Sequence, residues 1–154
     1  MRVHRFGSAI LFGIVLAGVS ACSGSSDSSS TAPTQTITTD ILTGTVPAAV
    51  NGVLQSASNN FTVGQGGGPV SVTLTSATET LPSGQLLTGQ IMGVAVGTSS
   101  ISGCTPMTNA FQTGSPNPAP LLSGSLSAGT YCVLVSDVTG QLGPVAYAVA
   151  VAHP

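Results

Sequence analysis

The chain has 154 residues, of which two are Lys or Arg and four are Asp or Glu, for a net charge of −2. Charged residues make up 4% of the sequence, against about 25% in an average globular protein. Because cations to neutralise phosphates are nearly absent, nucleic-acid binding, nucleotide binding and a basic patch for anionic lipid are excluded. The length fits one domain, and 20 glycines and 10 prolines favour a β-rich, turn-rich fold.

The N-terminus is predicted to be a cleaved export signal. Residues 1–5 contain both basic residues, Arg2 and Arg5, and residues 6–19 form an uncharged, largely apolar run, as in signal peptides. The uncharged stretch of residues 6–21 is shorter than the about 20 residues that a membrane-spanning helix needs. Removal of the signal would leave a mature chain without Lys or Arg and with a net charge of −4.

The predicted cleavage site ends in a cysteine. The run VSAC, residues 19–22, resembles the bacterial lipobox, in which cleavage leaves the cysteine as the first mature residue. The resemblance implies a diacylglycerol thioether, usually with an N-acyl chain, on Cys22, and two or three acyl chains give a stable membrane anchor. Ser23 in the next position is similar to the outer-membrane sorting signal of Gram-negative lipoproteins. An ordinary secretory signal cut after Ala21 is the alternative.

The segment after Cys22 is predicted to be a disordered, Ser-rich linker. Residues 23–36, SGSSDSSSTAPTQT, contain no apolar side chain larger than alanine and cannot bury enough surface to fold. A flexible chain of this length spans about 20 Å, so the folded part would stand just off the membrane. We therefore predict a signal peptide over residues 1–21, a lipidated linker over 22–36 and one folded domain over 37–154.

The folded domain is predicted to be all-β. Short runs rich in Val, Thr, Leu and Ile are separated by clusters of Gly, Pro, Ser and Asn, which is typical of strands and turns. Large and small side chains alternate most clearly at residues 70–75 and 145–152, as in strands with one buried face. Strands are predicted near residues 37–46, 59–63, 69–76, 85–97 (one strand or two), 120–127, 130–137 and 144–153. Seven or eight such strands favour a two-sheet β-sandwich.

A short pattern of leucine, hydroxyl residue and glycine recurs in the domain. Its three copies are Leu42-Thr43-Gly44, Leu87-Thr88-Gly89 and Leu122-Ser123-Gly124. The unequal spacing argues against a solenoid repeat. Each glycine is interpreted as marking a bend or bulge in a strand.

Two cysteines remain once Cys22 is lipidated. Cys104 and Cys132 would meet an oxidising compartment, so we predict a disulfide between them. It would close a loop of about 28 residues and stabilise the fold by roughly 3 to 3.5 kcal/mol. In its predicted strand Cys132 faces away from the core, so the bridge would hold a loop of residues 104–120 against the outer face of the sheet. No CxxC motif or neighbouring His points to redox or metal chemistry.

The C-terminal half resembles a known family. Residues 126–137, LSAGTYCVLVSD, with residues 140–144 and the last strand, resemble the bacterial pre-peptidase C-terminal domain, and residues 61–63 and 70–74 match its earlier strands. The resemblance implies a secreted, jelly-roll-like β-sandwich, often attached to exported peptidases and also found in stand-alone lipoproteins. Some members bind calcium through acidic loops, for which this chain has too few carboxylates. No metal site, and no cofactor other than the lipid on Cys22, is therefore expected.

Catalytic groups are scarce in the predicted mature chain. His153, its one histidine, is expected to fray with the C-terminus, and no G-x-S-x-G elbow occurs. A triad of a serine, His153 and Asp137 is therefore disfavoured. A paired-carboxylate mechanism would need two of Asp40, Glu79 and Asp137, which lie far apart in the sequence. We predict no catalytic residue and no enzymatic activity.

Two functions remain open. The first is a lipid-anchored structural or protein-interaction module in the cell envelope, at the outer membrane of a Gram-negative bacterium. Loops, hydroxyl-rich faces or an edge strand would bind an envelope protein. Binding at an edge strand is favoured because the lysines that usually guard strand edges are missing. The second is an envelope or extracellular polysaccharide-binding module, with Phe111 in the predicted loop of residues 105–120 as the contact; Phe61, Tyr131 and Tyr147 fall on predicted core faces. A hydrolase accessory role is more remote.

Overall fold

The computed structural model describes residues 35–154; the predicted signal peptide, Cys22 and most of the predicted linker lie outside the described residues. The described part contains nine β-strands, and no helix in it is long and apolar enough to cross a membrane. The strands are β1 Thr38–Val46, β2 Ser56–Val63, β3 Gly68–Thr80, β4 Leu86–Thr88, β5 Met92–Ser100, β6 Gly103–Gly114, β7 Leu122–Leu126, β8 Gly129–Asp137 and β9 Val145–His153.

The strands form two antiparallel sheets that face each other. The first sheet has the order β1-β9-β3, and both β4 and β7 pair with the far edge of β3. The second sheet has the order β2-β8-β5-β6. The predicted two-sheet β-sandwich is confirmed, with nine strands instead of seven or eight. Strands β1 and β2 adjoin along one side, the β1/β2 flank, and β6 and β7 adjoin along the other, the β6/β7 flank.

The core between the sheets is built largely from valine. Buried side chains alternate with more accessible ones along β9, as the sequence pattern predicts, and β-branched side chains pack well on such a pleated surface. Phe61 and Tyr147 are buried and Tyr131 is partly buried. The buried core consists of Val46, Phe61, Val63, Val70, Val72, Leu74, Ala77, Met92, Val94, Val96, Val133, Val135, Val145, Tyr147, Val149 and Val151.

The structure differs from the sequence prediction at β6. Residues 105–120 are predicted to be a loop, whereas Gly103–Gly114 is the edge strand of the second sheet. Its sequence is mostly polar and contains Pro106, so no alternation marks it as a strand. The pairing with β5 is also interrupted, because Ala95 pairs with Phe111 while Gly97 pairs with Pro106. Residues 107–110 therefore form a bulge opposite a single residue of β5.

The expectation that the C-terminus frays is wrong. Strand β9 lies between β1 and β3 in the first sheet, and His153 pairs with Thr38 at the start of β1. The backbone N–H of Gly64 also donates a 2.8 Å hydrogen bond to the carbonyl oxygen of Pro154. The position of β9 at the end of the sequence does not reveal that the strand lies inside the sheet, because strand order depends on pairing between segments distant in sequence.

Candidate functional site

Phe111, the predicted polysaccharide contact, lies on the outer face of the second sheet. It pairs with Ala95 of β5, and its ring lies over Gly93, where an added Cβ would be 2.7 Å from a ring carbon. Phe111 is 47% exposed. The missing side chain of Gly93 therefore seats the ring against the sheet while half of the residue stays accessible.

The predicted disulfide between Cys104 and Cys132 is present, with Cα atoms 5.8 Å apart. It links β6 to β8 across the intervening strand β5, at Gly97, which pairs with Cys132. A Cβ at Gly97 would collide with the carbonyl oxygen of Thr105 and lie 3.0 Å from Sγ of Cys104. The bridge thus crosses β5 where that strand has no side chain. It holds the beginning of strand β6 and not, as the sequence predicts, a loop.

His153 and Asp40 are hydrogen-bonded at the β1/β2 flank and form an ion pair when His153 is protonated. The His153 Nε2 lies 3.0 Å from the Asp40 Oδ2, and the ring centroids of His153 and Phe61 are 5.6 Å apart. Burial lowers the pKa of His153, but hydrogen bonds with the Asp40 carboxylate and the Pro154 carbonyl, and the charge of Asp40, raise that pKa above its ordinary value. The partner of His153 is therefore Asp40, and the triad with Asp137 is not assembled.

The buried carboxylates Glu79 and Asp137 hold the loop between β8 and β9. Asp137 accepts hydrogen bonds of 2.8 to 2.9 Å from the backbone N–H groups of residues 139–141. Glu79 Oε1 accepts two more, of 2.7 and 2.9 Å, from residues 142–143. These donors give both buried carboxyl groups hydrogen-bond partners, and the two side chains therefore fix the turn. Within residues 35–154 no three or more His, Cys, Asp or Glu side chains are grouped to hold a metal ion.

The β1/β2 flank is closed by Tyr147. Its ring lies over Gly44 of β1, where an added Cβ would be 2.7 Å from the ring carbon Cζ. The hydroxyl donates a 2.6 Å hydrogen bond to Oδ1 of Asn59 in β2, and Nδ2 of Asn59 donates one of 3.2 Å to the carbonyl oxygen of Thr43 in β1. Burial raises the pKa of the Tyr147 hydroxyl. Hydrogen bonds therefore join the two sheets at this flank.

The β6/β7 flank contains an open cleft. In the described part of the chain, β6 pairs with β5 and β7 pairs with β3, and no pairing joins β6 to β7. Between the two strands lies a cavity of about 120 Å³. Its lining is apolar inside and polar at the rim, and consists of Val70, Val72, Val96, Met107, Asn109, Ala110, Leu122, Ser123, Gly124, Ser125 and Leu126.

Gly124 accounts for the cleft. It pairs with Val70, whose side chain is buried in the core, so a side chain at position 124 would also point inward. Leu122 and Leu126, on the same face of β7, pack partly against the core. A Cβ built on Gly124 meets no atom within 4 Å. The cleft therefore includes the space that a side chain at position 124 would enter.

The opposite wall of the cleft is the bulge of β6. Asn109 in this bulge has a φ of 61°, a left-handed conformation that asparagine adopts more readily than most residues. Met107 and Ala110 pack against the core, while Asn109 is exposed at the rim. Bulges and left-handed residues are frequent beside binding sites, where they redirect side chains.

Strand β7 has no charge, proline or bulge to protect its edge. Every second residue of an edge strand directs its N–H and C=O groups away from the sheet, and charges, prolines or bulges commonly block a further strand. β1 carries Asp40 and β6 carries Pro106 and its bulge. β7 has the sequence LSGSL, and residues 103–126 contain no charged residue. An extended segment would therefore meet no charge at this edge.

No protein-family profile matches the chain, and no curated protein matches it either. The site is therefore interpreted from its geometry, which offers an apolar cavity beside unpaired backbone groups. The sequence predicts the disulfide but not the cleft, and a role of Phe111 in binding stays a prediction. The one sequence signal for the cleft is the pattern Leu122-Ser123-Gly124, in which a glycine takes the inward position of a strand.

Proposed function

We propose that the protein is a lipid-anchored, non-catalytic module of the bacterial cell envelope that binds another protein through its β6/β7 flank. The observation that carries the proposal is the apolar cavity at Gly124 beside the unpaired edge of β7. Apolar cavities with a few polar groups at the rim are typical ligand sites. The acidic side chains Glu79 and Asp137 and the imidazole of His153 are engaged in contacts within the fold, which supports a binding function over a catalytic one.

The membrane anchor is supported by the N-terminal sequence. The lipobox-like residues 19–22 imply acylation of Cys22, and Ser23 favours sorting to the outer membrane of a Gram-negative cell. The resemblance of residues 126–137 to the pre-peptidase C-terminal domain supports an exported protein. A partner that is itself a secreted hydrolase would make the protein a hydrolase accessory protein, which is one form of the same proposal.

The anchor is tested with Cys22→Ala in the full chain. We expect the variant to accumulate as an unprocessed precursor that lacks the lipid mass, whereas the native chain is found acylated in the outer-membrane fraction. Ser23→Ala is the control for a substitution beside the cleavage site, and should still be acylated. Unchanged processing and membrane association of Cys22→Ala would show that the protein is not a lipoprotein.

Protein binding at the flank is tested by photo-crosslinking in intact cells. A photoreactive amino acid at Asn109, on the exposed rim of the cleft, should give a discrete crosslinked product with one protein, identified by mass spectrometry. The matched control is Thr45, which is exposed on β1 at the opposite flank. The proposed binding flank is wrong if position 109 gives no product, or if both positions give the same product.

Polysaccharide binding is the second candidate, and the observation that favours it is the half-exposed ring of Phe111 over Gly93. It predicts that purified envelope polysaccharide binds the native chain and that Phe111→Ala abolishes the binding. Ile101→Ala is the control, because Ile101 is a fully exposed apolar residue at the turn between β5 and β6. Equal binding by Phe111→Ala and the native chain would eliminate this candidate contact.

A further inference from the structure

We infer that β7 binds an extended peptide segment as an added β-strand, and that one branched aliphatic side chain of this segment fills the cavity at Gly124. The inference rests on the proposed protein-binding function and specifies the chemistry of the partner. Main-chain hydrogen bonds hold an added strand to a sheet edge, while pockets for alternate side chains select its sequence. Both parts are present here, because an unpaired edge and a cavity lie side by side.

The register of the added strand follows from the pleat of the sheet. Directly opposite residues of paired strands point to the same face. Since Gly124 is paired with the inward-facing Val70 on one side, the peptide residue opposite Gly124 on the other side also points inward, into the cavity. Its two neighbours then lie beside Ser123 and Ser125, which are exposed, and point to solvent. One inward position is thus selected and the adjoining positions tolerate polar residues.

The size and lining of the cavity select a branched aliphatic side chain. The cleft is open on one side, and its volume of about 120 Å³ accommodates one Val, Leu or Ile side chain. The inner lining is aliphatic, from Val70, Val72 and Val96 to Leu122 and Leu126, so a charged side chain would lose its hydration without gaining a partner.

The first experiment is selection from a displayed library of random octapeptides, on the full chain in detergent. Gly124→Val is selected in parallel, because its added side chain enters open space and blocks the cavity; its melting temperature is measured to verify that it folds. The matched control is Ser123→Val, whose added side chain points to the other face of the same strand. Gly124→Ala, with a smaller side chain, should give an intermediate effect.

We expect the native chain and Ser123→Val to enrich peptides that share one Val, Leu or Ile between polar residues, and Gly124→Val to lose them. Replacing that aliphatic residue by Ala in a synthetic peptide should weaken binding about tenfold or more, since about two (Val) or three (Leu or Ile) buried methylene equivalents are removed. No enriched peptide, an aromatic or charged consensus, or equal binding to Gly124→Val would overturn the inference. So would a dimer of the native chain that dissociates in Gly124→Val, which would identify a second copy as the occupant.

Amide hydrogen exchange separates this inference from the proposed function. An added strand should slow exchange of the outward N–H groups within Leu122–Leu126 when the selected peptide binds, because they become hydrogen-bonded. Crosslinking from Asn109 without slower exchange in β7 would leave protein binding at the flank intact and overturn strand addition. Absence of crosslinking from Asn109 would instead contradict the proposed function itself.

Discussion

The two flanks of the sandwich contain a similar short sequence, but only one of them is closed by a side chain. Gly44 in β1 and Gly124 in β7 each follow a leucine and a hydroxyl residue, and each takes the inward position of an edge strand. The space at Gly44 is filled by the ring of Tyr147, which is hydrogen-bonded to Asn59 of the other sheet. The space at Gly124 is empty.

The difference shows that an inward glycine does not by itself create a binding site. At the β1/β2 flank a large side chain from the neighbouring strand β9 covers the glycine, and polar groups of both sheets are paired across the gap. At the β6/β7 flank the residue paired with Gly124 is Val70, whose side chain is too short to cover the glycine. The bulge of β6 is not paired with β7 in the described residues. The first flank is therefore expected to contribute to stability and the second to binding.

The largest loss of stability is expected from removing the disulfide that holds β6 beside the cleft. Cys104→Ser with Cys132→Ser should lower the free energy of unfolding by roughly 3 kcal/mol, because the unfolded chain regains the freedom of the closed loop. Cys132 pairs with Asn60 of β2, but no residue of β1 belongs to or pairs with the bridged positions. Amide exchange should therefore accelerate more in Gly103–Gly114 than in Thr38–Val46, relative to the native chain.

The measurement is urea unfolding of the native and double-variant chains, with the native chain under reducing conditions as the control that carries no substitution. The reduced native chain should unfold at nearly the same urea concentration as the double variant. Equal acceleration of exchange in both flanks would show that the bridge stabilises the sandwich as a whole and not the open side.

Matched glycine substitutions test the comparison directly. Gly44→Val should lower the free energy of unfolding by about 2 to 3 kcal/mol, because the new side chain displaces the Tyr147 ring and overpacks the flank. Gly124→Val should leave stability unchanged or raise it, since its side chain enters an empty, apolar space and buries surface there. Thermal and urea unfolding of the two variants provide the comparison. Similar losses in both would mean that the cavity at Gly124 is not open in solution.

Much of the fold can be predicted from the alternation of large and small side chains, but the flanks cannot. Strand β9, for example, alternates between buried positions and more accessible ones, and its location is predicted to within one residue. Strand β6 is polar, contains Pro106 and follows no period, so its pairing with β5 depends on contacts distant in sequence. The pairing of His153 with Thr38 of β1 also joins residues distant in sequence, so no local pattern predicts it.

The candidate site is predictable only in part for the same reason. The pairing of Cys104 with Cys132 follows from counting cysteines in a chain that is predicted to be exported, and the structure confirms the disulfide. The similar patterns at Gly44 and Gly124 do not reveal which glycine is covered by a neighbouring side chain. That depends on whether the residue paired with the glycine is Tyr147 or Val70, which is a property of the sheet order.

A smaller loss of stability is expected from removing the hydrogen bond that closes the β1/β2 flank. Tyr147→Phe removes the hydroxyl that donates to Asn59 and should cost about 1 to 2 kcal/mol, since the part-buried amide oxygen loses its partner. Tyr131→Phe is the matched control, because the Tyr131 hydroxyl donates to the carbonyl oxygen of Ser127 at an exposed site, where water can replace it. If the two substitutions cost the same in urea unfolding, the bond to Asn59 does not specially stabilise this flank.

The smallest effect concerns the pH dependence of the pair His153 and Asp40 at the same flank. Because the fold raises the pKa of His153, protonated His153 stabilises the fold below its ordinary pKa of about 6.5, and this contribution is lost as pH rises through the raised value. Asp40 is half-exposed, so the change should be under about 1 kcal/mol. Urea unfolding of the native chain should show a lower stability at pH 8.5 than at pH 5.5, and this difference should be absent in Asp40→Asn. The control is Thr38→Val, which removes only a hydroxyl bonded to the His153 carbonyl and should keep the difference. An equal loss in Asp40→Asn would assign the pH dependence to other groups and leave the flank closed by Tyr147 alone.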